Sequence, residues 1–350
     1  MRTDDAAPTT THRVCLGDAR RLPLPDDSVE LVVTSPPYPM IEQWDDLFAA
    51  QDPRIAEALQ AGEGPRAFDL MHGLLDEAWA ELQRVLVDGG IACVNVGDAT
   101  RTVAGEFRLY PNHARVAERM RAAGFRQLPG VLWRKPTNAP AKFMGSGTLP
   151  PNAYVTLEHE HVLVFRNGRR RSFPASDPDR YEASYFHEER NRWFSDLWDG
   201  LDAASQAADE ATPRERLAAF PVELPYRLIS MYSVYGDTVL DPFWGTGTTT
   251  LAAMAAARDS VGVEVEPGLP TQFDDRVDGV RSWAQERVDR RLADHREYVA
   301  EREATEYEAE HYDFDVVSSR ERRIRLYTVA DVSRVSGGYR VEHELVDGKQ

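Results

Sequence analysis

Cysteine is nearly absent: Cys15 and Cys93 are the only two in 350 residues. Each sits in an apolar stretch, which predicts buried thiols that behave as small hydrophobes. No grouping of Cys and His has metal-ligand spacing, so no metal centre is expected. His159 and His161 flank Glu160, but two histidines on one strand face do not make a metal site. No window approaches the apolar length of a membrane span. Met1 to Thr11 is polar, unlike a signal peptide. The expectation is a cytoplasmic chain with a short disordered lead-in over residues 1–12.

Lysine is also scarce, limited to Lys135, Lys142 and Lys349. The net charge is −17, and the basic residues are almost all arginine. Acidic, lysine-poor chains resemble halophilic proteins, so the highest stability and activity are expected in concentrated salt. At 1 M salt the Debye length is about 3 Å, which lets a negative protein approach a polyanion.

What is present is a strand–helix rhythm. Val14–Leu16, Leu31–Val33, Ile91–Val96 and Val131–Trp133 read as strands, and Phe68–Leu86 and Asn112–Ala123 as helices. After an irregular stretch the rhythm returns: a helix over 217–233, strands Val239–Leu240 and Val261–Val265, and a helix over Thr248–Ala257. Alternation of this kind argues for an α/β fold with a mainly parallel sheet. The order divides the chain into a first half (13–136), an arginine- and aromatic-rich insertion (137–219), a second half of the same domain (220–281) and a charged helix with a small hairpin (282–350).

Two motifs carry chemistry. Thr34-Ser35-Pro36-Pro37-Tyr38 follows a buried strand, and its prolines stop the chain from continuing into a helix. That leaves a hydroxyl, carbonyls and an aromatic ring at a strand end, where open α/β sheets bind ligands. Asp241-Pro242-Phe243-Trp244-Gly245-Thr246-Gly247-Thr248 is a strand end, a glycine turn and a helix start, and so offers free amides and a positive dipole end. No lysine follows Gly247, which argues against an NTPase loop, and position 250 is threonine where a dinucleotide loop needs a third glycine. Glu264 ends the next strand, where nucleoside-binding units place a ribose-binding acid.

Together, and in this order, the two motifs resemble the amino-group DNA methyltransferases of the permuted beta class. The Ser-Pro-Pro-Tyr form is most similar to the N4-cytosine branch. This resemblance implies a Rossmann-like, S-adenosyl-L-methionine-dependent methyltransferase fold, circularly permuted, with 137–219 as the target-recognition region. It implies a catalytic set of Ser35, Pro36, Pro37 and Tyr38. It implies cofactor contacts from Asp18, Pro221, Asp241, Pro242, Phe243, Gly245, Gly247, Thr248 and Glu264. The expected partner is double-stranded DNA, in a restriction-modification setting with a cognate restriction endonuclease; oligomeric state is left open. Adenine N6 stays the alternative target. An RNA methyltransferase and a non-catalytic binding protein are further readings.

The chemistry fits the residues. An acceptor held against the amino hydrogens of cytosine would free the nitrogen lone pair, and Ser35 Oγ and the Pro36 carbonyl suit that task. The base must leave the duplex to be reached, and Tyr38 is expected to stack on it. The absence of a Pro-Cys nucleophile argues against methylation at C5. The basic knot at 166–171 supplies Arg169, Arg170 and Arg171, which with Arg134, Lys135 and Lys142 are the expected phosphate contacts. His159 and His161 are read as structural or DNA-facing.

Overall fold

The computed structural model describes residues 7–135, 144–201, 220–302, 305 and 307–346. Apolar runs bounded by turn residues form strands covered by helices on both faces. The strands of the main sheet are β1 (Thr9–Leu16), β2 (Val29–Thr34), β3 (Leu86–Val96), β4 (Arg126–Arg134), β5 (His159–Arg166), β6 (Leu197–Trp198), β7 (Thr238–Asp241), β8 (Asp259–Glu264), β9 (Tyr327–Val335) and β10 (Gly338–Leu345). Among the described residues these ten strands lie in the order β6-β4-β5-β3-β2-β7-β8-β1-β10-β9. The central run β3-β2-β7-β8-β1 is parallel throughout.

Among the described residues the α-helices are α1 (Asp45–Gln51), α2 (Pro53–Gln60), α3 (Gly64–Val85), α4 (Asn112–Ala122), α5 (Pro178–Glu182), α6 (His187–Trp193), α7 (Glu223–Tyr232), α8 (Thr248–Ala255), α9 (Leu269–Val277) and α10 (Val280–Ala300). α3 is amphipathic: Ala67, Met71, Leu75, Ala78, Leu82 and Val85 recur at helical spacing and are buried. They pack with α1, α2 and α4 on one face of the sheet, against Val32, Ala92 and Val94. α7, α8 and α10 cover the other face, against Leu31, Val33 and Cys93. Every residue of α8 is buried, which explains why its sequence has no polar face.

Three sequence boundaries need correction. The lead-in ends earlier than expected, because β1 starts at Thr9 and pairs with β8 and β10. The side chains of Thr10 and His12 alternate inward and are satisfied there: Thr10 Oγ1 lies 2.9 Å from Nε2 of both His12 and His343, and His12 Nδ1 lies 2.8 Å from Ser260 Oγ.

The stretch 137–219 is not wholly an insertion, since β5 returns into the sheet antiparallel to both β3 and β4. The charged helix and hairpin of 282–350 are built into the domain. The hairpin extends the main sheet from β1. α10 buries Arg291 and His295 against Glu189 and Glu188, at 2.6 and 3.1 Å. Its inner face is therefore paired charge as well as the apolar Val288 and Leu292.

Candidate active site

The sheet changes winding direction between β2 and β7. From β2 the chain steps outward to β3, and from β7 it steps the opposite way to β8. A crevice at the carboxyl ends of the strands follows from that reversal. Four parallel strands deliver their exits to it: Gly17-Asp18 after β1, Ser35 and Pro37 after β2, Pro242, Phe243 and Gly245 after β7, and Glu264 at the end of β8. They line one cleft enclosing ≈ 830 Å³, part of it open solvent. Trp44, Leu47 and Phe48 near α1, with Leu74, Leu75 and Ala78 of α3, form its apolar side. The two sequence motifs thus meet in space as expected.

In the first motif, Ser35 and Pro37 face the cleft while Pro36 is buried beside them. Tyr38 departs from its expected role as an exposed stacking platform. Its ring is 6 % exposed and packs in the core. The Tyr38 hydroxyl lies 2.8 Å from Ser35 Oγ, donates to Glu160 Oε2 at 3.0 Å, and accepts from Asn95 Nδ2 at 3.0 Å. Glu160 also pairs with Lys135 Nζ at 2.8 Å. Burial, reinforced by the charge of Glu160, raises the Tyr38 phenol well above its ordinary pKa and keeps it a donor. Burying a ring with a polar tip requires such partners, and they draw it inward.

In the second motif, Asp241 is tied to the first. Its Oδ1 accepts from Thr34 Oγ1 at 2.7 Å and from the Phe243 amide at 3.2 Å. Burial raises its carboxyl to about 6. Asp241 is therefore a buried tie and does not itself line the cleft. Phe243 rests edge-on against Trp79, ring centroids 6.2 Å apart, and presents itself to the cleft. Glu264 accepts from the Gly245 and Glu266 amides at 2.7 and 2.8 Å, one on each oxygen.

The two glycines of the loop do different work. A Cβ on Gly245 would meet nothing closer than the Phe243 carbonyl oxygen at 3.8 Å, so its backbone is open to a ligand. A Cβ on Gly247 would lie 2.4 Å from Phe273 and 2.7 Å from Trp244, so this position is closed by packing. Thr248 turns away from the cleft and receives Arg276, and Pro221 caps the approach to α7, where its carbonyl accepts from the Leu224 amide. Asp18 lines the cleft with Arg20, paired at 2.6 Å.

The basic knot sits elsewhere than expected. β5 runs antiparallel to β3, so its carboxyl end meets Ile91, five residues before the end of β3, while its first residues meet Val96. Five residue steps at about 3.3 Å each put the knot roughly 16 Å from the cleft edge. There Arg171 clamps Asp237 through bonds of 2.6 and 2.7 Å, Arg169 pairs with Asp88 at 3.4 Å, and Arg170 faces solvent. These three, expected as phosphate contacts, stand apart from the cleft. Arg134, at the carboxyl end of β4, lies on the same edge of the sheet as the cleft, three strands from β2, and is exposed, with Glu158 and Asp199 each 3.6 Å away. Lys135 points inward to Glu160. Lys142 lies outside the described residues.

His161 stacks on His113, centroids 3.9 Å apart and planes 14° apart, and His113 Nδ1 bonds Asp98 at 2.7 Å. The ligand atoms of Asp98, His113 and His161 lie within 4.8 Å of one another, with the two rings stacked and one held by the carboxylate. Burial, with the neighbouring His113, lowers His161 to about 4.

Asn95 and Glu160 belong to neither sequence motif and come from two other strands. The signal for Glu160 was a carboxylate at the start of a strand whose next residues, Val162–Phe165, are apolar, and such a carboxylate must find a partner when buried.

Comparisons with known proteins agree with this geometry. A family profile described as DNA methylase, of the N6/N4 methyltransferase type, matches residues 29–273. The chain is 46 % identical over 322 residues to the Type II methyltransferase M.MthZI of Methanothermobacter thermautotrophicus, covering 91 % of this chain and 90 % of that one. It is 47 % identical over 281 residues to the Type II methyltransferase M.MjaI of Methanocaldococcus jannaschii, covering 77 % and 92 %. Among solved structures, a Thermus thermophilus protein assigned as a DNA modification methylase, in complex with S-adenosyl-L-methionine, matches with a TM-score of 0.59 and 32 % identity over 77 % of this chain and 95 % of that one. The PvuII cytosine-N4 DNA methyltransferase shares the fold, with a TM-score of 0.51 at 20 % identity over 77 % of this chain and 89 % of that one. The chain belongs to the N6/N4 DNA methylase family, the beta-class amino methyltransferases.

Proposed function

We propose that this methyltransferase transfers a methyl group from S-adenosyl-L-methionine to the N4 amino nitrogen of a flipped-out cytosine in double-stranded DNA. The observation that carries the choice of base is Ser35: a neutral hydroxyl, followed by two prolines, stands in the wall of the cleft that also holds Phe243 and Glu264. The Type II relatives support a site-specific modification role beside a restriction endonuclease.

The cleft fits the methyl donor. Asp18, Glu264 and Glu266 face it against the single guanidinium of Arg20, a balance that favours a cationic ligand. Phe243 and the apolar side suit a purine ring, Glu264 suits a ribose diol, and the open Gly245 backbone allows close approach. When bound, S-adenosyl-L-methionine supplies an electrophilic methyl on sulfur.

The protein's own contribution is positioning and hydrogen bonding. Ser35 Oγ accepts a hydrogen bond from the cytosine amino group, which weakens conjugation of the nitrogen lone pair with the ring and aims it at the methyl carbon, and the nitrogen gives up one proton to solvent once methylated. Alignment of this kind supplies up to about 7–11 kcal/mol in well-oriented systems. Extrusion of the base costs a few kcal/mol and takes place over the carboxyl edge of the sheet, where Arg134 is available to a phosphate. With its ring turned inward, Tyr38 holds Ser35 instead of stacking on the base.

Ser35→Ala tests this reading. Methylation of duplex DNA should fall by about 10–100-fold, the worth of one well-placed hydrogen bond, with cofactor affinity unchanged. A variant as fast as the parent would remove Ser35 from the reaction.

A further inference from the structure

Glu160 lies outside both motifs, yet hydrogen bonds connect it to Ser35. Its carboxylate is 8 % exposed, on the second residue of β5, behind Tyr38. Oε1 receives Lys135 Nζ at 2.8 Å. Oε2 receives the Tyr38 hydroxyl at 3.0 Å and Asn95 Nδ2 at 2.6 Å.

Counting protons fixes the direction of every bond in this chain. As the carboxylate partner of an ammonium, Glu160 has acceptor atoms only. Asn95 must present its NH2 group, because the reversed amide would set an oxygen against the carboxylate at 2.6 Å. That orientation leaves Asn95 Oδ1 buried with no hydrogen-bond partner, so the contact with Glu160 outweighs an orphaned acceptor. Tyr38 has one proton, and it goes to Glu160 at 3.0 Å in preference to the Asn95 carbonyl at 3.5 Å. The Tyr38 oxygen is then an acceptor toward Ser35 at 2.8 Å, and the single Ser35 proton points to it. Ser35 is left with lone pairs and no proton for the cleft.

We infer that the Glu160–Lys135 ion pair sets the direction of the chain Ser35→Tyr38→Glu160 and so holds the Ser35 hydroxyl as an acceptor for the amino group of the target base. Glu160 acts through two other side chains and is a positioning residue. The inference rests on the proposed amino methylation.

The ion pair makes the test specific. In Glu160→Gln the amide must turn its NH2 group toward Lys135, donor against donor, or toward Tyr38, which reverses the chain. Removing the ammonium as well lets the Gln oxygen face Tyr38 and Asn95, restoring the direction. Single-turnover methylation of unmethylated plasmid DNA is measured for the parent, Glu160→Gln, Glu160→Gln/Lys135→Met and Tyr38→Phe, with calorimetric titration of S-adenosyl-L-methionine. Glu160→Gln should slow turnover by about 10–100-fold with cofactor affinity unchanged, and the double variant should recover most of the loss. A purely structural role for Glu160 gives no such rescue.

A parent-like rate in Glu160→Gln, or a stably folded double variant no faster than the single one, overturns the inference. If Glu160→Gln does not fold, Tyr38→Phe decides: a parent-like rate there shows that the chain has no part in turnover. Failure of the parent itself to methylate DNA refutes the functional reading instead.

Discussion

Thr34 Oγ1 donates a 2.7 Å hydrogen bond to Asp241 Oδ1 across a sequence separation of 207 residues. It joins the residue before the Ser-Pro-Pro-Tyr turn to the first residue of the glycine loop. Parallel pairing of β2 with β7 makes this contact, registering Leu31 with Val239 and Val32 with Leu240. The relative placement of serine and loop therefore depends on a buried pair that does not line the cleft.

The Asp241 carboxyl gives that pair a pH signature. Burial raises it from 3.8 to about 6. A raised carboxyl binds its proton more tightly in the folded state, so its contribution is complete below about pH 4 and is lost as pH rises through about 6. Asp241→Asn keeps an oxygen for Thr34 and Phe243 and abolishes the titration. Between pH 4 and 7 the variant should gain on the order of 2–3 kcal/mol relative to the parent, measured by urea denaturation across that range. A pH-independent difference would contradict the assignment.

The position of the basic knot gives a second expectation. Arg169→Ala/Arg170→Ala should leave DNA affinity and its salt slope unchanged, because both residues stand at the far edge of the sheet. Arg171→Ala should instead destabilise the fold by about 1–3 kcal/mol, since Asp237 is buried and would lose its bidentate partner. Fluorescence anisotropy at several salt concentrations, with thermal melting, separates the two effects. A flattened slope in the double variant would return the knot to the DNA interface.

The glycines of the loop should fail in different ways. Gly247→Ala forces a left-handed backbone, φ +79°, and drives a methyl into Phe273 and Trp244; a loss of about 2–4 kcal/mol is expected. Gly245→Ala bears backbone strain at φ +55° but meets open space, so stability should fall by only about 1–2 kcal/mol while cofactor affinity drops. Calorimetric titration beside thermal melting reads both. Equal stability losses with equal affinity losses would contradict the division of roles.

These sites were unequally legible in the sequence. The two motifs could be read because strand, turn and helix start are local and their residues contiguous. Thr9–His12 was missed although Thr10 and His12 alternate at strand period, because their partners Ser260 and His343 lie far along the chain. The basic knot is obvious as composition, but its edge of the sheet depends on the antiparallel return of β5, which no local pattern states. Tyr38 looked like a platform because the motif gives the ring and not its direction; Asn95 and Glu160, from two other strands, draw the hydroxyl inward. Glu160 itself was hidden because its partners come from positions 38, 95 and 135.

The central claim is methylation of a cytosine amino group, and the modified nucleoside tests it most directly. Unmethylated plasmid DNA incubated with the protein and S-adenosyl-L-methionine carrying a labelled methyl group, then digested to nucleosides, should yield labelled N4-methyl-2′-deoxycytidine by mass spectrometry, with about 10–100-fold less formed at early times by Ser35→Ala. Label recovered in N6-methyl-2′-deoxyadenosine, or in no nucleoside at all, would contradict the account.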